Sequence, residues 1–160
     1  MPLTIFHILK MLAALLYKHQ SLFDKFHLSD CPSPDLNEIQ LTAYRWAHSP
    51  IEHELNFLPN ILYNLRTERP NRALDPKDMC PECNLSFFIR EETARKKLKN
   101  YKSFLEKKHK IFTNVYTHIA KGEIEKSDGK CTSIENEHFG LYEYTNCELR
   151  GRFKLLEGPV

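Results

Sequence analysis

Met79-Cys80-Pro81-Glu82-Cys83-Asn84-Leu85-Ser86-Phe87-Phe88-Ile89, running directly into the basic segment Arg90 to Lys110, is the stretch whose reading decides the fold. Leu85 to Ile89 has the length and the aromatic and branched content of a partly buried strand. Glu91 and Glu92 then open a helix that ends among Lys107, Lys108 and Lys110, so acid lies at its positive end and base at its negative end. Ala94, Leu98, Tyr101 and Leu105 recur at helical spacing and predict an apolar stripe, with lysines on the other side. Between Glu91 and Lys110 eight Lys or Arg stand against three Glu, a local excess in a chain whose net charge is only +2. Any attraction to polyanions must therefore come from this patch and not from the overall field.

Working outward, Leu41-Thr42-Ala43-Tyr44-Arg45-Trp46-Ala47 reads as a second strand, stopped by His48-Ser49-Pro50. Leu55, Leu58, Leu62 and Leu65 have helical spacing, but Pro59 interrupts them, which predicts a helix that is broken or begins at Pro59. Thr67 to Asp78, with Pro70 and Pro76, reads as a surface loop. Beyond the basic helix, Ile111 to Ile119 alternates as a strand does, and Gly122 reads as its exit. Lys121 to Asn136 is polar and contains Asp128-Gly129, which suits a hairpin or long loop. Phe139 to Tyr144 and Gly151 to Leu156 read as two further strands.

At the other end, Leu3 to Tyr17 is almost wholly apolar, with Ile5, Ile8, Leu9, Leu12, Leu15 and Leu16 on one helical face. The run is short for a membrane span and carries His7 and Lys10 inside it, so a buried or partner-covered helix is expected and no transmembrane segment. Ser29-Asp30-Cys31-Pro32-Ser33-Pro34-Asp35 is a linker, its prolines removing backbone donors. The expectation is one domain over 1–160: an apolar N-terminal helix over 1–28, a linker over 29–40, and a core over 41–160. The fold class expected is α+β, a small mostly antiparallel sheet packed against a long basic amphipathic helix, with a helical N-terminal portion.

Five cysteines, an odd number in a chain of 160 residues with ample core-forming side chains, argue against dependence on disulfides and for a reducing, cytoplasmic setting. In that setting Asn84-Leu85-Ser86 is a chance match to a glycosylation triplet. Cys80 and Cys83 have the spacing with which two thiolates share a zinc ion, and Cys131, His138 and Cys147 are the candidates to complete four ligands. The same pair suits redox exchange less well, because a strand follows it where an activating helix N-terminus is needed. His48 and His53 flank Glu52, but Pro50 breaks the helix that a zinc peptidase motif requires. Only five glycines are present and none cluster, which excludes a phosphate-binding glycine loop, and no nucleophile elbow occurs.

Arg45, Ser86 and Glu143 fall on three separate strands in that order. Chemistry on a nicotinamide dinucleotide needs a cation for the pyrophosphate, a small hydroxyl residue beside the nicotinamide ribose and a carboxylate for a ribose hydroxyl. The series resembles the Arg, Ser, Glu series of ADP-ribosyltransferases. Here the Ser-Thr-Ser run usual in that family is represented by Leu85-Ser86-Phe87, and the paired carboxylates of its arginine-modifying members by Tyr142-Glu143. The resemblance implies an NAD-consuming enzyme, toxin-like in character. The composition alone points to a different role, a small intracellular protein that binds a macromolecular partner, a protein above all, through its apolar first helix or its lysine-rich helix. That helix is poor in Asn, Gln and Arg on its polar face, so contact with nucleic acid would be nonspecific.

Overall fold

The computed structural model describes residues 16–68, 75–108 and 115–160. The apolar stretch expected to form the first helix lies almost entirely outside the described residues, as do residues 111–114 of the strand expected at Ile111 to Ile119; of its described part, only His118 and Ile119 are in a strand. Within them the architecture is α+β. Six strands form one antiparallel sheet: β1 (Leu41–Ala47), β2 (Leu85–Phe88), β3 (His118–Ile124), β4 (Gly129–Cys131), β5 (His138–Glu143) and β6 (Lys154–Leu155), in the order β4-β5-β2-β1-β3-β6. Four helices accompany it, α1 (Gln20–Lys25), α2 (Asn60–Arg66), α3 (Pro76–Met79) and α4 (Glu91–Lys107).

The alternation of side chains gives the sheet two buried faces. On one, Phe88 and Ile119 meet Ala94 and Leu98 of α4, with Leu55, Tyr63 and Tyr116 closing the cluster. On the other, Ala43, Leu85, Phe87, Ala120, Phe139 and Leu141 pack with Phe57 and Phe153. α4 buries Ala94, Leu98 and Leu105, and Trp46 donates its indole N–H to the Ala94 carbonyl at 2.9 Å, fixing the helix to β1. Pro59 stands at the N-cap of α2, where its missing N–H costs nothing.

β3 runs through Gly122, which the sequence suggested as an exit. The strand is held by seven register pairs with β1, from Ala47↔His118 to Leu41↔Ile124. Gly122 serves a close approach instead: a Cβ there would lie 2.4 Å from the Phe153 ring. The polar segment after β3 contains β4, which pairs with β5. The connection closes at Asn136 and Glu137, both at positive φ, between Glu135 and His138, which exchange backbone hydrogen bonds. Two consecutive positive φ angles are what a tight two-residue hairpin requires.

Cys31 and Cys80 form a disulfide, with Cα atoms 5.7 Å apart. The odd cysteine count is accommodated because Cys83, Cys131 and Cys147 are buried thiols. The bond ties the segment after α1 to the turn before β2, beside a third apolar cluster of Leu22, Phe23, Leu28, Ile61 and Tyr142. Upstream of α1, the chain lies along β5: Tyr17 bridges Tyr144, Lys18 N–H donates to the Glu143 carbonyl at 2.9 Å, and Thr145 N–H donates to the Leu16 carbonyl at 3.0 Å.

Gly122→Ala should displace the buried Phe153 ring and destabilise the fold by about 1–3 kcal/mol in urea unfolding; unchanged stability would mean that the ring has room to move. Cys31→Ser opens a loop of 49 residues' separation and should cost about 2–4 kcal/mol, with the same loss on adding reductant to the parent protein and no further loss in the variant.

Candidate functional site

The sheet is open at its centre. β1 and β2 are joined at one register position, Tyr44↔Phe88, whereas β2 and β5 share four. Past Tyr44 the gap is bridged by a side chain. Arg45 Nη1 donates to the Ser86 carbonyl and Nη2 to the Leu58 carbonyl, both at 3.3 Å, so the guanidinium stands in for backbone ladder bonds. Arg45 is only 4% exposed, and its carbon lies 5.5 Å from the Phe57 ring centroid and 5.4 Å from that of Phe87. Burial lowers its pKa, an effect opposed by the electrostatics of Tyr116 and Glu143, by a side-chain hydrogen bond with Tyr116, and by Tyr63. The buried Nε has no hydrogen-bond partner among the described residues, and no carboxylate there lies within ion-pair distance of this cation.

A cleft of about 260 Å³ opens at this point. Arg45 and Ser86 are in its lining, which is largely aromatic, from Trp46, Tyr63, Phe88, Tyr101 and Tyr116. The Trp46 ring stacks on Phe88 at 5.8 Å and on Tyr101 at 5.7 Å, and Tyr63 stacks on Tyr116 at 4.6 Å. Asn60 and Asn64 of α2 contribute amides. Glu82, carried on the 3-10 turn Cys80–Cys83, is a carboxylate in the lining. The first residue of β5, His138, completes it, edge-on to Phe88 at 5.2 Å. Burial first, and the Lys97 charge second, hold the His138 imidazole below its ordinary pKa of 6.5.

Of the three residues in the Arg, Ser, Glu series, the structure brings Arg45 and Ser86 to one cleft and places Glu143 outside its lining. Glu143 is buried at the end of β5, with Lys18 Nζ at 3.1 Å and His19 Nε2 at 3.4 Å. The histidine contact is an ion-pair distance without hydrogen-bond alignment. This carboxylate anchors the segment that precedes α1.

Cys80 and Cys83 do not form a pair of thiolates. Cys80 is bonded to Cys31, and burial, with a smaller contribution from Glu82, pushes the Cys83 thiol up to about 11. The other candidate ligands are dispersed: burial raises Cys131 to about 12 and also raises Cys147, which sits beside Asp128. Among the described residues no group of three His, Cys, Asp or Glu could hold a metal ion. His48 and His53 stack on one another at 4.7 Å, and His48 Nε2 lies 3.0 Å from the Tyr63 hydroxyl. They buttress the aromatic wall and are not arranged as metal ligands.

The cleft residues that sequence reasoning missed are Tyr63, Glu82, Tyr101, Tyr116 and His138 as a group. The flanking of Arg45 by Tyr44 and Trp46 was the one signal available; the rest depends on pairing between distant elements. The chain matches no protein-family model, no curated protein and no solved structure. No helix among the described residues is long and apolar enough to cross a membrane.

Lys97→Ala should raise the His138 pKa toward 6.5, because one of the two influences that lower it is removed while burial persists. NMR titration of the His138 ring protons checks this, and an unmoved or lowered value would show that Lys97 does not act on the cleft.

Proposed function

We propose that this chain is an NAD-consuming enzyme of the ADP-ribosyltransferase type, with the nicotinamide end of the dinucleotide held in the cleft between β1 and β2. The observation that carries the reading is Arg45: a buried cation with an unpartnered Nε, beside Ser86, in an aromatic-walled opening. A charge removed from water without an opposite charge is costly, and a phosphate-bearing ligand compensates it. The aromatic walls of the cleft offer apolar surface for a planar heteroaromatic ring. At about 260 Å³ the cleft takes one end of a dinucleotide, with the remainder along the rim.

The reaction breaks the bond between the nicotinamide nitrogen and ribose C1′, the electron pair going to the nicotinamide. An acceptor nucleophile then bonds to C1′ and gives up its proton. In this reading Arg45 holds phosphate and Ser86 shapes the ribose pocket. Glu82 replaces Glu143 as the carboxylate that stabilises positive charge developing on the ribose, and His138 takes the proton.

The second role expected from the sequence, capture of a macromolecular partner through the lysine-rich helix, is favoured by one observation. Phe104 is half exposed on α4 among Lys96, Lys97, Lys99, Lys107 and Lys108, all exposed. The alternative surface, the apolar first helix, lies outside the described residues. The cytoplasmic setting applies to protein in which Cys31 and Cys80 are reduced, since disulfides persist mainly where the surroundings oxidise.

Purified protein should bind NAD in calorimetry and release nicotinamide. Arg45→Lys should weaken NAD binding about tenfold, close to 1.4 kcal/mol, and Glu82→Gln should lower kcat about 10²-fold or more. Glu143→Gln should lower the melting temperature and leave the rate of nicotinamide release unchanged. Absence of NAD binding sinks the proposal. Loss of turnover in a folded Glu143→Gln protein would return the catalytic carboxylate to Glu143.

A further inference from the structure

We infer that the exposed border of α4 is a docking track for single-stranded nucleic acid, leading from solvent to the mouth of the cleft. The inference deepens the proposed function by naming the partner presented to that site, and it rests on that reading only for what happens in the cleft. The track stands on the helix surface itself.

Lys97, Tyr101, Phe104 and Lys108 are spaced by four, three and four residues and form one row along α4. The row borders the buried stripe of Ala94, Leu98 and Leu105, and the 11 helical steps from Lys97 to Lys108, the C-cap, span about 16 Å. At one end it joins the cleft: Tyr101 is in the lining, and the Lys97 charge acts on His138, also in the lining. At the other it presents Phe104, 50% exposed. Lys96 and Lys107 lie on the adjacent outer row and are exposed as well. None of these lysines is in an ion pair among the described residues. The acidic residues of α4 keep away from the row: Glu91 is paired with Arg95, and Glu92 and Glu106 project from the far side of the helix.

This is the pattern that single strands use, cations spaced for phosphates and aromatic faces between them on which bases stack without regard to sequence. A bilayer fits less well. An amphipathic helix enters lipid by its apolar face, and here that face is occupied by the sheet. An acidic protein would use the lysines but gains nothing specific from Phe104. Duplex DNA keeps its bases stacked away from such a side chain, so the single strand is the form that uses both features.

The test is fluorescence anisotropy of labelled 15-nucleotide single-stranded DNA and RNA of mixed sequence with the full chain, in low and in moderate salt, without NAD. The expected result is binding that weakens steeply as salt rises. Phe104→Ala should weaken it about tenfold at each salt concentration, and Lys97→Glu with Lys108→Glu should weaken it more than tenfold in low salt and flatten the salt dependence. All three positions lie on the helix border outside its buried stripe, and circular dichroism verifies the fold of each variant. No binding in low salt overturns the inference. So does binding that Phe104→Ala leaves unchanged, or polyglutamate or anionic vesicles captured as tightly as the oligonucleotide. Because no dinucleotide is present, failure here is separate from failure of the NAD reading, which calorimetry decides.

Discussion

The parting of β1 from β2 at Arg45 is the constraint on which the rest of the site depends. An antiparallel pair satisfies its backbone groups by laddering, and a buried break in the ladder leaves carbonyls without donors. Arg45 resolves this by reaching into the break and donating to the carbonyls of Ser86 and Leu58. The rings of Phe57 and Phe87 hold the guanidinium in place. Phe57 itself adopts a positive φ, uncommon for a bulky residue, and the chain accepts that conformation where it brings the ring over the cation. Once the opening exists, aromatic side chains of β1, β2 and α4, with Tyr116 ahead of β3, wall it with little further ordering, because Trp46 is already fixed to α4 through Ala94.

The flanks of the sheet carry the attachments that keep the centre open. On the β5 side the segment before α1 is held by Lys18 and His19 on Glu143, and the Cys31–Cys80 bond fastens the following segment to the turn that bears Glu82. That turn is further fixed by Tyr142, whose hydroxyl donates to the Cys80 carbonyl at 3.1 Å. On the β3 side, Asp128 accepts from the Glu125 N–H at 2.7 Å and pairs with Arg152, closing the turn into β4. Glu82 thus reaches the cleft from a segment tethered at two points, a placement with little conformational entropy left to lose on binding.

Local patterns fixed the elements that pair early with their own surroundings. Leu41 to Ala47 is a strand as read, the strand read at Leu85 to Ile89 runs from Leu85 to Phe88, and the helix beginning at Glu91 follows from its acidic opening and its apolar spacing. What was illegible depends on partners far away in the chain. Gly122 looked like a strand end because its need for glycine arises from Phe153, 31 residues on. The polar segment after it hides β4, whose three residues are a strand only because β5 lies beside them. Cys80 and Cys83 were paired by spacing, whereas the fold pairs Cys80 with Cys31. At the site, Arg45 and Ser86 stood out in the sequence as residue types on separate strands, and the structure places both in the lining of one cleft. The sequence does not say which end of β5 reaches the opening, because side-chain direction alternates along a strand: His138 lines the cleft, and Glu143 lies five residues away.

A purely architectural role for Arg45 accounts for two of its nitrogens but not for its charge. Two carbonyls in a break could be met by a neutral amide such as Asn or Gln at far lower desolvation cost. A guanidinium keeps its charge even when burial lowers its pKa, as here, so the protein carries a buried cation whether or not it needs one for the two bonds. Compensation from within comes first from Tyr116, by its electrostatics and a side-chain hydrogen bond, and then from Glu143, which is itself committed to Lys18 and His19. Nε is buried without a hydrogen-bond partner, and Arg45 is part of the cleft lining. An anionic group on a ligand that also has a ring to stack would complete both the electrostatics and the packing, and this is why we read the arrangement as a binding site and not as a repair of the sheet.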